Sequence, residues 1–237
     1  DKEVYRNIES KYESKKGIVT LNPIQEEIYK KIINEKNKAK TFLLHGVTGS
    51  GKTEIYFKAI ENVIEDNKDV LLLVPEIALT PMMISRFKEK FSHLVAALHS
   101  GLSSGEKYDE WRRIIRKEAK IVIGARSACF APLEKIGLII VDECHESSYK
   151  QTSGLIYYAI DVLERRSKYH QAPLVLGSAT PNIESYARAK KGYYELLEIK
   201  ERALNAKMPQ VEVVNMLEEF KQGNSSPLSI KLVDEIN

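Results

Sequence analysis

A glycine-rich segment of this 237-residue chain has the residue types and spacing of a phosphate-binding loop. Residues 46–53 read Gly-Val-Thr-Gly-Ser-Gly-Lys-Thr, between an apolar run that ends at His45 and an amphipathic segment. This is the G-x-x-x-x-G-K-S/T pattern in its strand, loop and helix context. The backbone N–H groups of such a loop surround phosphate oxygens, and the following helix adds the positive end of its dipole. The segment predicts a nucleoside triphosphate site that uses magnesium.

The last two residues of this loop carry its chemistry. Lys52 is expected to reach the β- and γ-phosphate oxygens, and Thr53 to bind Mg²⁺ through its hydroxyl. The other predicted nucleotide-binding residues are Gly46, Val47, Thr48, Gly49, Ser50 and Gly51. The alternative is a chance glycine-rich turn, which would occur in about one chain of this length in a hundred at average residue frequencies. The flanking strand and helix patterns favour the nucleotide site.

Two acidic residues follow a second apolar run at 138–141. A phosphate-binding loop needs a carboxylate from another strand to hold magnesium, and Asp142 is placed for that role. Glu143 is placed to polarise the attacking water as a general base. Two acids can also simply begin a surface turn. With the loop upstream, we predict that Lys52, Asp142 and Glu143 are the catalytic residues.

Short apolar runs rich in branched residues alternate with segments of helical spacing. The apolar runs are 41–45, 70–75, 94–99, 121–124, 138–142 and 174–178. The helical segments are 53–65, 79–91, 105–117, 159–169 and 183–190. Unalternating strands separated by helices are typical of a parallel sheet that is covered on both faces. The pattern predicts a three-layer α/β domain with a mainly parallel central sheet.

Composition divides the chain into three segments. Residues 1–17 are polar and rich in Lys and Glu, and are predicted to be a linker. Residues 18–200 carry the α/β pattern. Residues 201–237 are predicted to be the end of the domain and a further linker, with a strand at 211–214 and a final helical pattern that stops abruptly. That ending suggests a fragment of a longer protein.

The overall composition limits the class of protein. The chain is 43% hydrophobic and 29% charged, which is typical of a soluble globular domain. It has no apolar run of 18 residues and no signal-peptide pattern, so we expect a cytoplasmic location and no membrane partner. Cys129 and Cys144 form no C-x-x-C pair, which predicts reduced thiols and no zinc site. A net charge of +3 neither indicates nor excludes a nucleic-acid partner.

Two further motifs add a family resemblance. Residues 142–145 read DECH, and 177–181 read GSATP. In this order they resemble the DExH-type superfamily 2 helicase motors, which implies a RecA-like P-loop NTPase domain. The resemblance implies that His145 and the hydroxyls of Ser178 and Thr180 couple the nucleotide site to the nucleic-acid side.

Six sequence segments narrow the resemblance from this superfamily to a single family. They are LNPIQ at 21–25, GVTGSGKTEIY at 46–56, VPEIALTPMM at 74–83, LHSGLSSGEKYDEW at 98–111, IGARSACFAPL at 123–133 and VDECHESSYKQ at 141–151. Together they resemble the primosomal protein N′ (PriA) family over about residues 18–190. The resemblance implies an ATP-dependent 3′-to-5′ DNA helicase that acts on single-stranded and forked DNA with primosome and replication-restart proteins. It also implies a second RecA-like lobe, because nothing here resembles motifs IV to VI.

The resemblance also implies roles for individual side chains. Gln25 is expected to read the adenine edge, with a helix-surface glutamine as the alternative. Thr80, Arg126 and Ser127 are expected to contact DNA phosphates, which carry most of the affinity in sequence-independent binding. For Arg126, a structural cation within the lobe is the alternative.

An aromatic segment follows DECH. The resemblance implies that Tyr149 and Lys150 contact single-stranded DNA, with bases stacking on the ring. Packing of the tyrosine in the core is the alternative. Ile156 and Ile160 stand where the family pattern has arginines, which predicts that coupling to DNA differs in detail from that of the family.

Two other functions remain open. A P-loop DNA translocase or restriction-type ATPase subunit would need the same Lys52, Asp142 and Glu143, and only strand separation distinguishes it from a helicase. The other is a DNA-binding module with a vestigial nucleotide site. Such a site need not retain these three residues together with Thr53, so their presence argues against it.

Overall fold

The computed structural model describes residues 20–201 and 211–236, and the chain divides into two compact units, 1–205 and 206–237. In the first unit the helices are α1 (Pro23–Asn34), α2 (Lys52–Glu65), α3 (Pro81–Phe91), α4 (Ser104–Ile115), α5 (Ala159–His170) and α6 (Ile183–Lys190). The strands are β1 (Thr41–Gly46), β2 (Asp69–Leu73), β3 (Val95–Leu98), β4 (Ile121–Gly124), β5 (Ile136–Val141), β6 (Lys150–Gln151), β7 (Tyr157–Tyr158), β8 (Leu174–Ser178) and β9 (Glu195–Ile199).

Seven of these strands form one sheet in the order β3-β4-β2-β5-β8-β1-β9, and every neighbouring pair is parallel. β6 and β7 form a separate antiparallel pair. The prediction of a three-layer α/β domain with a parallel sheet is confirmed. The sequence patterns did not predict the edge strand β9, whose ELLEI carries two glutamates. It pairs with β1 along its whole length.

The core lies on both faces of the sheet. Successive strand residues alternate between two buried clusters: Phe42 and Leu44 join one, and Leu43 joins the other. On the first face, Phe57 of α2 packs against Phe87 of α3 with ring centroids 4.6 Å apart. Because both faces are covered, the central strands carry consecutive apolar residues, and this explains their unalternating sequences.

The order of the strands positions the site. β5, β8 and β1 are neighbours at the centre of the sheet, and all run in the same direction. Their carboxyl ends therefore meet at one edge, the edge at which open α/β sheets bind ligands. The loop 46–53, the segment 142–145 and the segment 177–181 follow these three strands.

The second unit contains α7 (Met216–Lys221) and α8 (Ile230–Ile236). The Asn215 side chain accepts a hydrogen bond from the N–H of Leu217 and caps α7. α8 agrees with the predicted final helix. The strand predicted at 211–214 is wrong, because that segment has no regular secondary structure and all four residues lack a pairing strand among the described ones. The predicted linker at 1–17 lies outside the described residues.

Candidate nucleotide and DNA sites

The glycine-rich loop turns between β1 and α2. Gly49 and Gly51 have φ angles of +76° and +80°, a region that favours glycine. The N–H of Ser50 donates to the carbonyl of Val47 at 3.0 Å and closes the turn. A Cβ atom on Gly46 would lie 2.6 Å from Ser50 Oγ, so the strand end and the loop need a glycine there. The predicted loop residues thus adopt a compact turn that opens directly into a helix.

Lys52 and Ser50 have buried polar groups that lack full partners within the protein. Lys52 is only 8% exposed, and its Nζ donates to the carbonyl of Gly46 at 3.0 Å. The nearest carboxylate oxygen, Glu143 Oε1, is 3.9 Å from Nζ, which leaves the buried charge incompletely neutralised. Ser50 Oγ is buried and has no hydrogen-bond partner among the described residues. Phosphate oxygens supply both missing partners, so the residues present fit a triphosphate.

Asp142 is held at the end of β5 by three contacts. Its N–H donates to the carbonyl of Leu73 at 2.8 Å, and its own carbonyl accepts from the hydroxyl of Tyr149 at 2.6 Å. The hydroxyl of Tyr56 donates to Oδ1 at 3.0 Å. Burial, then the charge of Glu143, raises the pKa of the Asp142 carboxyl. A divalent cation would favour the ionised carboxylate, and hard oxygen ligands such as this one and a threonine hydroxyl suit Mg²⁺.

Tyr56 is a site residue that the sequence patterns missed. It lies one helical turn after Lys52, and the i, i+4 spacing that places both on one face of α2 could have indicated it. Burial, and then the charge of Asp142, raises the pKa of its hydroxyl, which therefore remains a donor. A Cβ atom on Gly177 of β8 would lie 1.9 Å from this hydroxyl. Gly177 is thus required for the close approach of Tyr56 to Asp142.

Glu143 lies in a strained turn that directs it toward the same site. Its φ angle is +43°, which is uncommon for a residue with a Cβ atom, and such strain is concentrated at functional sites. One carboxylate oxygen lies 3.9 Å from Lys52 Nζ, and the other lies 3.5 Å from His145 Nδ1. Lys52, Asp142 and Glu143, the three predicted catalytic residues, therefore lie close together at the edge of the sheet.

The predicted coupling residues connect the segment 142–145 after β5 with the segment 177–181 at the end of β8. Ser178 Oγ lies 2.8 Å from His145 Nδ1 and accepts from the N–H of Thr180 at 3.0 Å. The N–H of Cys144 donates to the carbonyl of Gly177 at 2.9 Å. Ser178 is fully buried, and its hydroxyl joins the two segments. Thr180 takes part in this network through its backbone N–H.

Gln25 is buried, so the helix-surface alternative is wrong. It is 3% exposed, and its Nε2 donates to the carbonyl of Ser50 at 2.9 Å. Its Oε1 accepts from the N–H of Asn22 at 2.9 Å in a capping box that starts α1. These bonds fix the amide against the phosphate-binding loop. One N–H and one lone pair of the amide remain, so adenine recognition by Gln25 stays a prediction.

The side chains predicted to bind DNA phosphates lie near the ends of β2 and β4. Thr80 is exposed and caps α3 by accepting from the N–H of Met83 at 3.2 Å. Ser127 is exposed as well. Arg126 donates through Nη1 to the carbonyls of Ser148 at 3.1 Å and Lys150 at 2.8 Å. Arg126 therefore acts as a structural cation within the lobe, which was the alternative to DNA binding. Contact with DNA by Thr80, Ser127 and Arg126 stays a prediction.

Tyr149 corrects one expectation. Its ring is fully buried and its hydroxyl is bonded to Asp142, so it presents no face on which a base could stack. The core-packing alternative describes it. Lys150 is exposed, with Nζ 5.3 Å from the centroid of the Tyr158 ring. Ile160 is buried in α5, a position for an apolar side chain, whereas Ile156 is 76% exposed between β6 and β7.

The structure also describes the thiols and the candidate metal ligands. Cys129 and Cys144 are free and buried, and burial raises the pKa of each thiol to about 12. Within residues 20–201 and 211–236, no group of three or more His, Cys, Asp or Glu residues could hold a metal ion. No helix in these same ranges is long and apolar enough to cross a membrane.

Comparison with known proteins identifies the family. Residues 18–183 match the family model described as "Type III restriction enzyme, res subunit". The chain belongs to this family. It is also 54% identical over 216 residues to the replication restart protein PriA of Bacillus subtilis, covering 91% of this chain and 26% of that protein. PriA of Synechocystis is 49% identical over 192 residues, covering 79% and 23%. The resemblance to the PriA family is confirmed, and the chain spans about a quarter of the length of these relatives.

Solved structures agree on the fold. The helicase domain of Pyrococcus furiosus Hef matches with a TM-score of 0.53 and 24% identity, over 76% of this chain and 38% of that one. RecG bound to a three-way DNA junction matches with a TM-score of 0.54 and 24% identity, over 80% and 24%. These matches confirm the RecA-like fold.

Proposed function

We propose that this chain is the ATP-binding motor lobe of an ATP-dependent 3′-to-5′ DNA helicase that acts in replication restart. The observation that carries the proposal is that Lys52, which starts the helix after β1, converges with Asp142 and Glu143, which follow β5. The names of the relatives and the order of the motifs supply the biological setting.

Each residue of the site has a distinct task in this proposal. The loop 46–53 and Lys52 bind the β- and γ-phosphate oxygens, and Gln25 binds the adenine edge. Thr53 and Asp142 would hold Mg²⁺, whose charge would offset that of the transferred phosphoryl group. Glu143 orients the attacking water and accepts its proton. The buried lysine and the shielded carboxylate act in a medium of low dielectric constant, where such contacts are stronger than in water.

Coupling to DNA follows the contacts between loops. His145 and Ser178 join the segment that holds the general base to the end of β8. Arg126 binds the carbonyls around Tyr149, and Tyr149 binds the carbonyl of Asp142. A DNA strand that contacts Thr80, Ser127 or Lys150 would therefore act on backbone that is connected to the magnesium ligand.

The wider assignments belong to the whole protein. We propose that its ligands are single-stranded and forked DNA, that its partners are primosome and replication-restart proteins, and that it works in the cytoplasm. A second RecA-like lobe would supply the arginine fingers that stabilise the transferred charge. Without that lobe, the chain is expected to bind nucleotide weakly and hydrolyse it slowly.

A DNA translocase or restriction-type ATPase subunit is the second candidate. The description of the matching family model favours it, because that model is named for a restriction subunit. Such a protein would use the same site to move along duplex DNA without separating its strands. Strand separation on a forked substrate distinguishes the two candidates.

The first test is steady-state ATP turnover by this chain extended through its natural C-terminal continuation, with and without single-stranded DNA. We expect turnover that rises sharply with DNA and disappears in a Lys52→Ala control, which lacks the cation at the phosphates. ATP turnover that does not change when DNA is added would support the nucleotide site but contradict the helicase proposal.

A further inference from the structure

A cavity of about 440 Å³ opens at the same edge of the sheet as the nucleotide site, but at the ends of β2, β3 and β4. Its volume lies in the range of about 300–1,000 Å³ that is usual for small-ligand sites. The side chains in its lining that can bind a ligand include Glu76, His99, Lys107, Trp111, Arg126 and Ser127. The catalytic residues do not line it.

Trp111 is the aromatic ring of this cavity. It is the single tryptophan of the chain and is 37% exposed. It lies one turn after Lys107 in α4, so the two side chains share a face of the helix. A partly exposed indole beside a cation is the combination on which nucleic-acid bases stack without sequence preference.

The charged groups of the cavity suit a nucleotide. Lys107 is exposed and forms no ion pair within the part of the chain that the structure describes. Arg126 uses Nη1 for two backbone carbonyls, and these bonds leave its Nε and Nη2 donors. Glu76 contributes an acceptor, which opposes a phosphate but suits the N–H groups of a base. The lining therefore offers donors for one phosphate, an acceptor for a base edge and a ring for its face.

We propose that this cavity binds one unpaired nucleotide of single-stranded DNA, with the base stacked on Trp111 and the phosphate held by Lys107 and Arg126. The proposal rests on the proposed function, because a DNA motor is what brings a single strand to this edge. It gives Trp111 the stacking role that the sequence assigned to Tyr149, whose ring is buried. It also adds a contact to the base, where Thr80 and Ser127 are expected to contact only phosphates.

The single tryptophan provides a direct test. The 237-residue chain is titrated with a short labelled dT oligonucleotide, and tryptophan fluorescence is recorded together with the anisotropy of the label. We expect quenching that follows the anisotropy with the same midpoint, because Trp111 is the only indole. An oligonucleotide of the same length that has phosphates but no bases should bind more weakly and leave the fluorescence unchanged.

Variants separate the base contact from the phosphate contact. Trp111→Ala should weaken binding of the dT oligonucleotide at least about five-fold and reduce its preference over the abasic strand, whereas Trp111→Tyr should retain most of both. Lys107→Ala should lower the slope of log affinity against log salt by about 0.7. Lys168→Ala, an exposed lysine in the last turn of α5, is the matched control and should behave as wild type.

Three outcomes would overturn this subsite: binding without a change in tryptophan fluorescence, equal affinity for the dT and abasic strands, or no binding at low salt. If Trp111→Ala unfolds the chain, the wild-type fluorescence titration and the comparison of the dT and abasic strands still test the proposal. The proposed function is judged separately, since DNA-stimulated ATP turnover by the extended protein would survive the loss of this subsite. If DNA did not stimulate ATP turnover, the proposed motor function itself would be contradicted.

Discussion

At the scale of single residues, Tyr56 places a neutral hydroxyl against the carboxylate proposed to bind magnesium. The hydroxyl and Oδ1 of Asp142 are 3.0 Å apart, and the ring is almost fully buried. The bond restricts the carboxylate to one orientation and leaves its second oxygen for the metal. Tyr56 is therefore a positioning residue that acts through Asp142.

Removing this hydroxyl should change the requirement for magnesium. Tyr56→Phe keeps the ring and its packing but loses a hydrogen bond to a charged group, worth about 1.5–3 kcal/mol. In the extended protein, we expect half-maximal ATP turnover at roughly ten-fold higher Mg²⁺ concentration. Tyr193→Phe, at a residue 74% exposed, is the control and should need no additional Mg²⁺. An unchanged Mg²⁺ dependence would show that Tyr56 only fills space.

Gly177 offers an independent test of the same contact. Gly177→Ala should destabilise the fold by about 1–3 kcal/mol, because the new methyl group overlaps the hydroxyl of Tyr56. In a Tyr56→Phe background the remaining neighbours are the ring carbon at 3.2 Å and Asp142 Oδ1 at 3.1 Å, and small shifts can accommodate them. Urea unfolding should therefore show a smaller loss in the double variant. Equal losses in both backgrounds would contradict the proposed overlap.

At the scale of elements, short segments at the carboxyl ends of the strands are bonded to one another. The segment 147–151 has its carbonyls bound by Arg126 after β4, and its tyrosine bound to the end of β5. The DECH segment is bonded to the end of β8 through His145 and Ser178. These bonds link loops from neighbouring strands, so a shift in one loop is transmitted to the next.

Arg126 should control the local stability of the segment 147–151. Arg126→Gln removes two bonds from a charged donor to backbone carbonyls, so we expect amide hydrogen exchange in this segment to become at least about ten-fold faster. Arg165→Gln, at an exposed arginine of α5, is the matched control. Exchange that is equally slow in both variants would mean that the packing of Tyr149 alone orders the segment.

At the scale of the whole molecule, the sheet separates two apolar clusters that share no residue. Cys129 and Cys144 both belong to the same cluster, together with Tyr149 and α5, and both are fully buried. Cys129 precedes β5 in the sequence and Cys144 follows it. Their thiols therefore report on the opening of this side of the domain as one unit.

The thiols should resist modification until the domain unfolds. Because burial raises the pKa of each to about 12, the reactive thiolate is scarce at neutral pH, and the reagent has no access. We expect the reaction of both thiols with a chromogenic disulfide reagent to rise with the unfolded fraction as urea is added. Rapid reaction of either thiol without urea would show that its side of the domain opens locally.

The sequence by itself determined the features that depend on neighbouring residues. The loop 46–53, the acids at 142 and 143, and the apolar strands are local patterns, and their order along the chain indicated the fold and the nucleotide site. Strand β9 escaped prediction because its glutamates break the apolar run, although pairing with β1 makes it part of the sheet. The apolar pattern at 211–214 formed no strand, since no partner strand lies beside it among the described residues.

Only the tertiary structure decided which side chains face one another. Tyr56 and Asp142 are 86 positions apart, so their contact depends on the order of the strands, and no local pattern shows it. The same holds for Tyr149 and Trp111. Both are aromatic residues in polar segments, yet packing buries the first and leaves the second at a cavity. Exposure is set by the neighbours that the fold brings together, because a side chain's own type does not specify what will cover it.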